Sequence, residues 1–356
     1  MNFRAQRLNR LREAMAKGKL DGLLITHLPN IFYLTGFSGT AGALAVTGDA
    51  LLFSTDGRYR LQARHEVNKI RTRIGQDAVH EAAAWLTRSG ARRVGFEASR
   101  LTHAVALSIK QRHARLRWTA GQGWVEGLRE SKDESELAAM RQAARLISDV
   151  ARDVMPIIRP GVREDEVAAE IDYRIRRAGG EVAFGTMVAS GRRSAFPHGR
   201  ATHKPIGQNE LVVLDLGVIL GHYCSDLSRT AYVGKAPPRM KRWFRAILDA
   251  QSAARERALP GMAAGEVDAA ARRLLRGRRL ARYFVHATGH GLGLEVHEAP
   301  RVGKGEKAPL KPGMVITIEP GVYLEGVGGM RVEDDLLITE TGNEFLTDAP
   351  RALQEL

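Results

Sequence analysis

Four acidic residues stand in or beside stretches whose apolar residues alternate as in buried β-strands. Asp215 occurs in LVVLDLG, Asp226 in CSDLSRT, Glu319 at the end of MVITIE, and Glu333 in MRVEDD. Carboxylates that are close together in a protein core repel one another and resist ionising unless a cation lies between them. The pattern therefore indicates a site for cations, provided that the strands bring these residues together.

The two aspartates fall within one predicted hairpin. A two-residue turn at Leu220-Gly221 would set Asp215 directly opposite Asp226, with the two Cβ atoms about 4.5–5.5 Å apart. For an isolated pair, a solvated hairpin with two unrelated acids would be the more common explanation. The further acids at Glu319 and Glu333 make a cation site the better interpretation.

Three histidines lie between the two pairs of acids, in the glycine-rich stretch HATGHGLGLEVHEAP. They are His286, His290 and His297, and the glycines allow the backbone to approach a ligand closely. An oxygen-rich site with one imidazole suits Mn²⁺, Co²⁺ or Zn²⁺ better than a metal selected by thiolates. Arg331 shares a strand face with Glu333, because side chains two residues apart in a strand point the same way.

The first third of the chain has an α/β pattern. Between residue 20 and about residue 120, short apolar runs alternate with amphipathic stretches at 57–67, 78–89 and 102–113. A polar segment follows and ends in a helix-start signal, with Ser131 as the N-cap and Glu134 three residues later. We therefore expect two domains, 1–127 and 128–356.

The second part repeats one order of elements. Two helical patterns precede strands, and then two more helical patterns precede further strands, which predicts an approximate internal duplication. The predicted helices span 133–155, 163–178, 238–257 and 265–276, and the predicted strands span 210–232, 313–319 and 330–339.

The composition is basic, with 54 Lys and Arg against 40 Asp and Glu and a formal net charge of +14. The densest arginine stretch, 272–282, has a helical pattern without a recognition motif or interleaved aromatic residues, so we do not expect a nucleic-acid partner. A single cysteine, Cys224, excludes an intrachain disulfide. The N-terminal stretch has no apolar signal region, and no run reaches the length of about 18 apolar residues that a membrane span needs. We expect a cytoplasmic protein without a membrane span.

Five motifs together resemble a known family: LDLG, SDLSRT, HATGHGLGLEVHE, ITIEPGVY and MRVED. They are similar to the dinuclear metallopeptidases of pita-bread fold, in the branch of aminopeptidase P and prolidase. DGLLITHLPNIFYLTGF and FSTDGRYRLQA resemble the N-terminal domain of that branch. The resemblance implies an N-terminal creatinase/prolidase-like α/β domain followed by a pita-bread catalytic domain with pseudo-twofold ααββ halves.

The resemblance also implies roles for individual residues. Asp215 would bind one of two metal ions, His290 and Glu319 would bind the other, and Asp226 and Glu333 would bridge them. A hydroxide held between the ions would attack the scissile carbonyl, with Glu319 as general base. The remaining family positions lie around the substrate and are matched by His198, His286, His297, Arg331 and, more weakly, Tyr323.

The implied substrates are peptides or dipeptides with proline after the scissile bond, and the implied cofactors are two divalent ions, most commonly Mn²⁺, with Co²⁺ or Zn²⁺ as alternatives. We favour an Xaa-Pro aminopeptidase, because the segment from Arg301 to Met314 leaves little chain to close the cleft. An Xaa-Pro dipeptidase is the main alternative, and a non-catalytic peptide-binding relative is a third. Methionine aminopeptidases lack such an N-terminal domain, and creatinase lacks the metal set.

The resemblance further implies a homodimer or higher homo-oligomer, in which the N-terminal domain of a neighbouring subunit closes the substrate pocket. Tyr33 and Phe37, in NIFYLTGF, are candidate pocket residues. Core packing is the better explanation of each of these aromatic residues.

Overall fold

In the computed structural model, residues 3–67 and 69–356 are described, and the chain divides into two units, Met1–Arg129 and Glu130–Leu356. The first unit is built on a six-stranded mixed sheet in the order β4-β3-β2-β1-β5-β6. Its strands are β1 (Gly22–Ile25), β2 (Ala43–Thr47), β3 (Leu51–Thr55), β4 (Arg71–Ile74), β5 (Arg93–Glu97) and β6 (Arg117–Gly121). Its helices are α1 (Phe3–Lys17), α2 (Leu28–Thr35), α3 (Arg60–Glu66), α4 (Ala78–Arg88), α5 (His103–Arg112) and α6 (Glu126–Arg129).

The alternation of strands and helices in this unit agrees with the α/β pattern of the sequence. β1 pairs with β5 in parallel and with β2 in antiparallel orientation, so the sheet is mixed. Tyr33 and Phe37 are each 1% exposed within this unit. Their burial agrees with core packing as the explanation of both side chains.

The second unit contains four helices and twelve strands that follow the predicted order of elements. The helices are α7 (Glu134–Val154), α8 (Glu164–Arg177), α9 (Pro238–Arg257) and α10 (Ala264–Gly277). The strands of the first half are β7 (Glu181–Val182), β8 (Met187–Ser190), β9 (Leu211–Leu220) and β10 (Tyr223–Tyr232). Those of the second half and the C-terminal segment are β11 (Gly289–Gly291), β12 (Glu298–Val302), β13 (Val315–Ile318), β14 (Gly321–Leu324), β15 (Gly328–Arg331), β16 (Asp334–Ile338), β17 (Asn343–Phe345) and β18 (Gln354–Glu355).

Each pair of helices covers its own sheet through an apolar stripe. Ile147, Val167 and Ile171 of α7 and α8 pack in one buried cluster with β9 and β10. Ile247 and Leu275 of α9 and α10 pack in another with β13, β15 and β16. The two halves therefore repeat one arrangement of helices on strands, as the internal duplication predicts.

The N-cap of helix α7 lies two residues after the predicted one. Asp133, not Ser131, is the N-cap: its carboxylate accepts hydrogen bonds from the backbone N–H groups of Ser135 and Glu136. Glu136 completes the capping box by accepting from the Asp133 N–H at 3.0 Å. The prediction of Ser131 and Glu134 was wrong because the same spacing of cap and glutamate occurs twice in this segment.

The hairpin of β9 and β10 turns at Gly221 and His222, whose φ values are 56° and 73°. Left-handed conformation at both central residues is the type I′ geometry that suits the twist of a hairpin. The register therefore pairs Asp215 with Ser228, and Asp226 with Gly217. The predicted turn at Leu220-Gly221, and with it the direct pairing of Asp215 and Asp226, was wrong.

That correction shifts the register by two residues, and a shift of two keeps every side chain on its predicted face of the sheet. Asp215 and Asp226 thus still point to the same side. Among the helices of the described residues, none is both long and apolar enough to cross a membrane.

Candidate metal centre

A cavity of about 470 Å³ opens in the second unit. Every residue that the sequence predicts for the site lines it, apart from Tyr323, whose hydroxyl contacts two of the lining residues. The predicted residues in its wall are His198, Asp215, Asp226, His286, His290, His297, Glu319, Arg331 and Glu333.

The four acids reach the cavity from four different places in the fold. Asp215 and Asp226 lie on the neighbouring strands β9 and β10, and Glu319 follows the last residue of β13. Glu333 lies between β15 and β16, where its backbone forms an isolated bridge with Ser228 of β10. This bridge joins the second-half acids to the first-half hairpin.

His290 reaches the cavity from the short strand β11. Gly289 precedes it so closely against β13 that a Cβ atom there would lie 1.9 Å from the carbonyl oxygen of Thr317. Gly291 is equally confined, since its Cβ would lie 2.2 Å from the carbonyl oxygen of Ala299. The glycines of the HATGHGLG stretch thus place the histidine between two strands that leave no room for side chains.

Asp226, His290 and Glu333 each bring one ligand atom into a group in which all such atoms lie within 4.8 Å of one another. Glu319 is close to this group, because its Oε1 lies 3.7 Å from His290 Nε2. Buried Asp226 Oδ1 has no hydrogen-bond partner among the described residues. A buried carboxylate oxygen without a hydrogen-bond donor is suited to bind a cation.

Asp215 differs from Asp226 in that both of its carboxylate oxygens accept hydrogen bonds from side chains. Its Oδ2 accepts from Arg331 Nη2 at 2.5 Å, and its Oδ1 accepts from Ser228 Oγ at 3.2 Å. Ser228 Oγ also lies 2.6 Å from Glu333 Oε2. Asp215 is thereby connected to Glu333 through one hydroxyl, although it lies outside the group of three.

The acids of the cavity resist ionising together. Burial, reinforced by the charges of Glu333 and Asp215, raises the pKa of Asp226 well above its ordinary value. Burial and the neighbouring Asp215 raise the pKa of Glu333 to about 7, and burial with the charge of Glu333 raises the pKa of Glu319. Divalent cations would relieve this repulsion, so the donor set fits them.

The imidazoles are poised as neutral groups. Burial lowers the pKa values of His286 and His290 to about 4. A neutral imidazole has a free lone pair for a metal or a hydrogen-bond donor. His290 Nδ1 lies 3.0 Å from the carbonyl oxygen of Gly291, which only accepts, so Nδ1 carries the proton and Nε2 faces Asp226 and Glu319.

A hydrogen-bonded row continues away from the acids. His286 Nε2 lies 3.0 Å from the Tyr323 hydroxyl, and Arg331 Nη1 donates to that hydroxyl oxygen at 2.9 Å. Arg331 Nη1 also donates to the carbonyl oxygen of Pro197 at 2.9 Å, next to the exposed His198. The ring of His297 lies tilted against that of His290, with ring centroids 4.3 Å apart.

Sequence reasoning missed several residues of the cavity wall and one residue that contacts it. Ser228 does not line the cavity, but its hydroxyl lies within hydrogen-bond distance of Asp215 and Glu333. It could have been found, because it lies two residues after Asp226 and so shares its strand face. Phe184 and Met187 carry no chemical signal and enter the wall only through the tertiary fold. Arg301, in HEAPR, also lines the cavity, and its sequence position near His297 was its only signal.

Comparison with protein families places two matches along the chain. Residues 138–340 match the description "Metallopeptidase family M24", and residues 7–131 match "Creatinase/Prolidase N-terminal domain". These two matches correspond to the catalytic domain and the N-terminal domain that the resemblance implies.

Individual relatives match over nearly the whole length. The chain is 35% identical to an Xaa-Pro dipeptidase of Pyrococcus horikoshii, covering 99% of this chain and 100% of the relative. It superposes on an Xaa-Pro dipeptidase from Bacillus anthracis with a TM-score of 0.96 and 35% identity, over 99% of this chain and 100% of that one. An X-Pro aminopeptidase from Thermotoga maritima gives a TM-score of 0.91 and 31% identity, over 98% and 99%.

These similarities confirm the predicted α/β fold class, with a creatinase-like N-terminal domain and a pita-bread catalytic domain. They agree with a cavity that gathers carboxylates and one accessible imidazole nitrogen in a buried setting. The chain therefore belongs to metallopeptidase family M24, with a creatinase/prolidase N-terminal domain in front of its peptidase domain.

Proposed function

We propose that this protein is an Xaa-Pro dipeptidase that uses two divalent metal ions. The observation that carries the proposal is one cavity in which Asp226, His290 and Glu333 converge and which Arg301 also lines. The cavity thus combines a place for metal ions with a cation that can receive the free carboxylate of a dipeptide.

For the metal ions we propose the residues implied by the family resemblance: Asp215 for one ion, His290 and Glu319 for the other, with Asp226 and Glu333 between them. The unpartnered Asp226 Oδ1 and the raised pKa values of the acids fit this assignment. Oxygen ligands with one imidazole favour Mn²⁺, with Co²⁺ or Zn²⁺ as alternatives. When bound, such ions lower the pKa of a water molecule and polarise a carbonyl group.

The side chains around the ions would handle protons and orient the substrate. Glu319, whose burial already raises its pKa, would accept a proton from the attacking water and pass it to the leaving nitrogen. His297 would stabilise charge that develops on the carbonyl oxygen. His198 would contact the substrate, while the row of His286, Tyr323 and Arg331 would hold Asp215 in place.

Arg301 supports the dipeptidase over the aminopeptidase. The other arginine of the cavity wall, Arg331, is already bound to Asp215, Ser228, Tyr323 and Pro197. Within the described ranges no carboxylate lies at ion-pair distance from Arg301, which is exposed to the cavity. A free proline carboxylate would form a charged hydrogen bond there, whereas a longer peptide has no carboxylate at that position.

The relatives also favour this choice. The sequence alone led us to prefer an aminopeptidase, from the short segment between Arg301 and Met314. Relatives named Xaa-Pro dipeptidase are 34–35% identical to the chain over almost all of its length. The short segment bears only on how open the cleft is, whereas the charge of Arg301 bears directly on binding of a free carboxylate. We therefore prefer the dipeptidase.

The test compares Xaa-Pro with the amide Xaa-Pro-NH₂ and with the tripeptide Xaa-Pro-Yaa, using protein loaded with Mn²⁺. A dipeptidase should show a kcat/KM for Xaa-Pro that is at least about 100-fold above the value for the tripeptide. Arg301→Met should lower kcat/KM for Xaa-Pro by about 10- to 100-fold and leave the amide nearly unchanged. Lys304→Met, an exposed cation three residues later, is the matched control.

The second candidate is an Xaa-Pro aminopeptidase, which the similarity to the Thermotoga maritima enzyme favours. It would cleave the tripeptide as well as or better than the dipeptide, and Arg301→Met would affect both substrates alike. A protein that binds about two metal ions but cleaves none of the three substrates would contradict both candidates.

A further inference from the structure

An ion pair on helix α10 holds the segment that leads into the cavity. Arg272 Nε donates to Asp268 Oδ2 at 2.7 Å, one helical turn away. The Asp268 side chain is 1% exposed and that of Arg272 is 23% exposed. The guanidinium is planar and rigid, and the bond to Asp268 uses only its Nε. Its two Nη groups are therefore free to donate further hydrogen bonds in fixed directions.

The remaining donors and acceptors of this pair bind one stretch of backbone. Arg272 Nη1 donates to the carbonyl oxygen of Phe284 at 3.0 Å, and Nη2 donates to that of His286. Asp268 Oδ1 accepts from the N–H of Thr288 at 3.2 Å and from its hydroxyl at 2.9 Å. The pair therefore binds every second residue of the segment from 284 to 288.

This segment contains His286 and is hydrogen-bonded to the backbone of Glu319. The His286 ring contacts Tyr323, and its Nδ1 lies 3.8 Å from Glu319 Oε2. The carbonyl oxygen of Thr288 accepts from the Glu319 N–H at 2.8 Å. A displacement of the segment would move an imidazole and a carboxylate of the cavity together.

The segment is also packed from its other side. The Arg272 guanidinium lies 4.4 Å from the centre of the Phe284 ring. That ring in turn meets the His286 ring edge-on, with centroids 5.0 Å apart. Arg272 therefore binds the carbonyl oxygen of His286 directly and packs against Phe284, whose ring contacts the imidazole.

We propose that Arg272, held by Asp268, is a positioning residue for His286 in the reaction of this enzyme. The inference rests on the proposed function for its kinetic consequences only. The fork of the guanidinium serves two carbonyl groups while its Nε serves Asp268. A lysine has one nitrogen and cannot occupy all three positions at once.

Arg272 differs in this respect from the arginines beside it. Arg273 and Arg276, on the same helix, are exposed, and within residues 3–67 and 69–356 neither has a carboxylate at ion-pair distance. The first half has a related contact, in which Asp172 of α8 accepts from the Thr186 hydroxyl. Asp172 and Thr186 are 14 residues apart, as are Arg272 and His286. In both halves, therefore, the second helix binds the segment that follows it.

The kinetic test uses Arg272→Met and Arg272→Lys in the full chain, with Arg276→Met as the matched control. All three preparations are loaded with Mn²⁺, and their metal content and melting temperature are measured before turnover. Arg272→Met should lower kcat for Xaa-Pro by about 10- to 100-fold with KM changed less than about threefold. Arg272→Lys should lose less, because it keeps the bond to Asp268, and Arg276→Met should match the wild type.

Methylguanidinium provides a rescue that a general structural defect would not show. Arg272→Ala leaves a space of the right shape beside Asp268, so added methylguanidinium should restore part of kcat, whereas methylammonium should restore little. A variant that has lost kcat through misfolding responds to neither compound. The proposal is overturned if Arg272→Met keeps kcat within twofold of Arg276→Met, or if the two added cations act alike.

A readout independent of turnover is the His286 ring in a long-range ¹H–¹⁵N spectrum of histidine-labelled protein, assigned by its loss in His286→Gln. His286 Nδ1 lies 2.8 Å from the Ala287 carbonyl oxygen, so the wild type should show the Nδ1–H tautomer. Arg272→Met should lose that pattern and Arg276→Met should keep it. If the wild type cleaves no Xaa-Pro substrate while this change occurs, the proposed function fails and the positioning role stands. An unchanged spectrum in Arg272→Met overturns the positioning role.

Discussion

Asp226 lies directly across the β9–β10 hairpin from Gly217, so no side chain faces its carboxylate from the neighbouring strand. The space above Gly217 is taken by the ring of Phe184, to which a Cβ atom at that glycine would approach within 2.3 Å. The Phe184 ring thus occupies the space that the side chain of any larger residue at position 217 would need. This arrangement keeps polar donors away from Asp226 and leaves its oxygens available for an ion.

The assignment of metal ligands predicts which variants lose the ions. Glu333→Gln removes a negative charge from the buried group of Asp226, His290 and Glu333, so metal content should fall well below that of the wild type, and turnover with it. His198→Ala changes an exposed residue of the cavity wall, so it should keep its metal and lose mainly turnover. Elemental analysis of chelator-free preparations measures both. Equal metal content in the two variants would contradict the assignment.

The close contact of β11 with β13 predicts a large effect of one methyl group. Gly289→Ala should destabilise the protein by about 1–3 kcal/mol, because the new Cβ would meet the Thr317 carbonyl oxygen. Gly277→Ala, at the end of α10, is the control, since a Cβ there would meet nothing within 4 Å. Denaturant unfolding of the metal-free proteins measures the difference, and equal stabilities would show that β11 can move away from β13.

The raised pKa of Glu333 predicts how the stability of metal-free protein depends on pH. The folded protein holds the Glu333 proton up to about pH 7, above the ordinary value of 4.5. The stability from this group is therefore fully present below pH 4.5 and is lost as the pH rises through 7. Glu333→Gln cannot ionise, so its melting temperature in chelator should exceed that of the wild type by a margin that grows from pH 5 to pH 8.

The control for this titration is the same pair of proteins with Mn²⁺. Bound ions favour the ionised carboxylate, so the wild type should then gain more in melting temperature than Glu333→Gln at pH 8. A margin between the metal-free proteins that stays constant across the pH range would mean that Glu333 titrates normally.

The corrected cap of α7 predicts a difference between two neighbouring substitutions. Asp133→Ala removes the acceptor for the first N–H groups of the helix and should cost about 1 kcal/mol of stability. Ser131→Ala, at the position that the sequence suggested as the cap, should cost less than half as much. Chemical denaturation of both variants decides between the two capping positions, and a larger effect at Ser131 would reverse the correction.

The periodic parts of the sequence predicted the fold well. The helices expected at 133–155 and 163–178 are observed at Glu134–Val154 and Glu164–Arg177, because charged first turns and a glycine pair mark their ends. The register of the hairpin was less accessible. Two turns one residue apart are both compatible with Leu220-Gly221-His222, and only the left-handed conformation of His222 separates them.

The site was predictable where a charged residue stands in an apolar strand and unpredictable where the chemistry depends on distant partners. The place of Asp215 in LVVLDLG made it a candidate, and it lines the cavity. Arg272 carried no such signal, because Arg273 beside it is a residue of the same type and the backbone groups that it binds lie 12 and 14 residues later. The bonds of Arg272 to the backbone of residues 284–288, together with its ion pair to Asp268, distinguish it from Arg273 and Arg276.

The isolated bridge between Ser228 and Glu333 has a consequence for the order of folding. Asp215 and Asp226 meet through a local hairpin, whereas Glu333 joins them across 105 residues of chain, a contact that closes late because of its loop entropy. A chain with only the first hairpin formed holds two of the carboxylates and no imidazole. High-affinity binding of metal should therefore begin only when the two halves of the catalytic domain have docked. The ions would then stabilise the domain after it has folded and would not direct its folding.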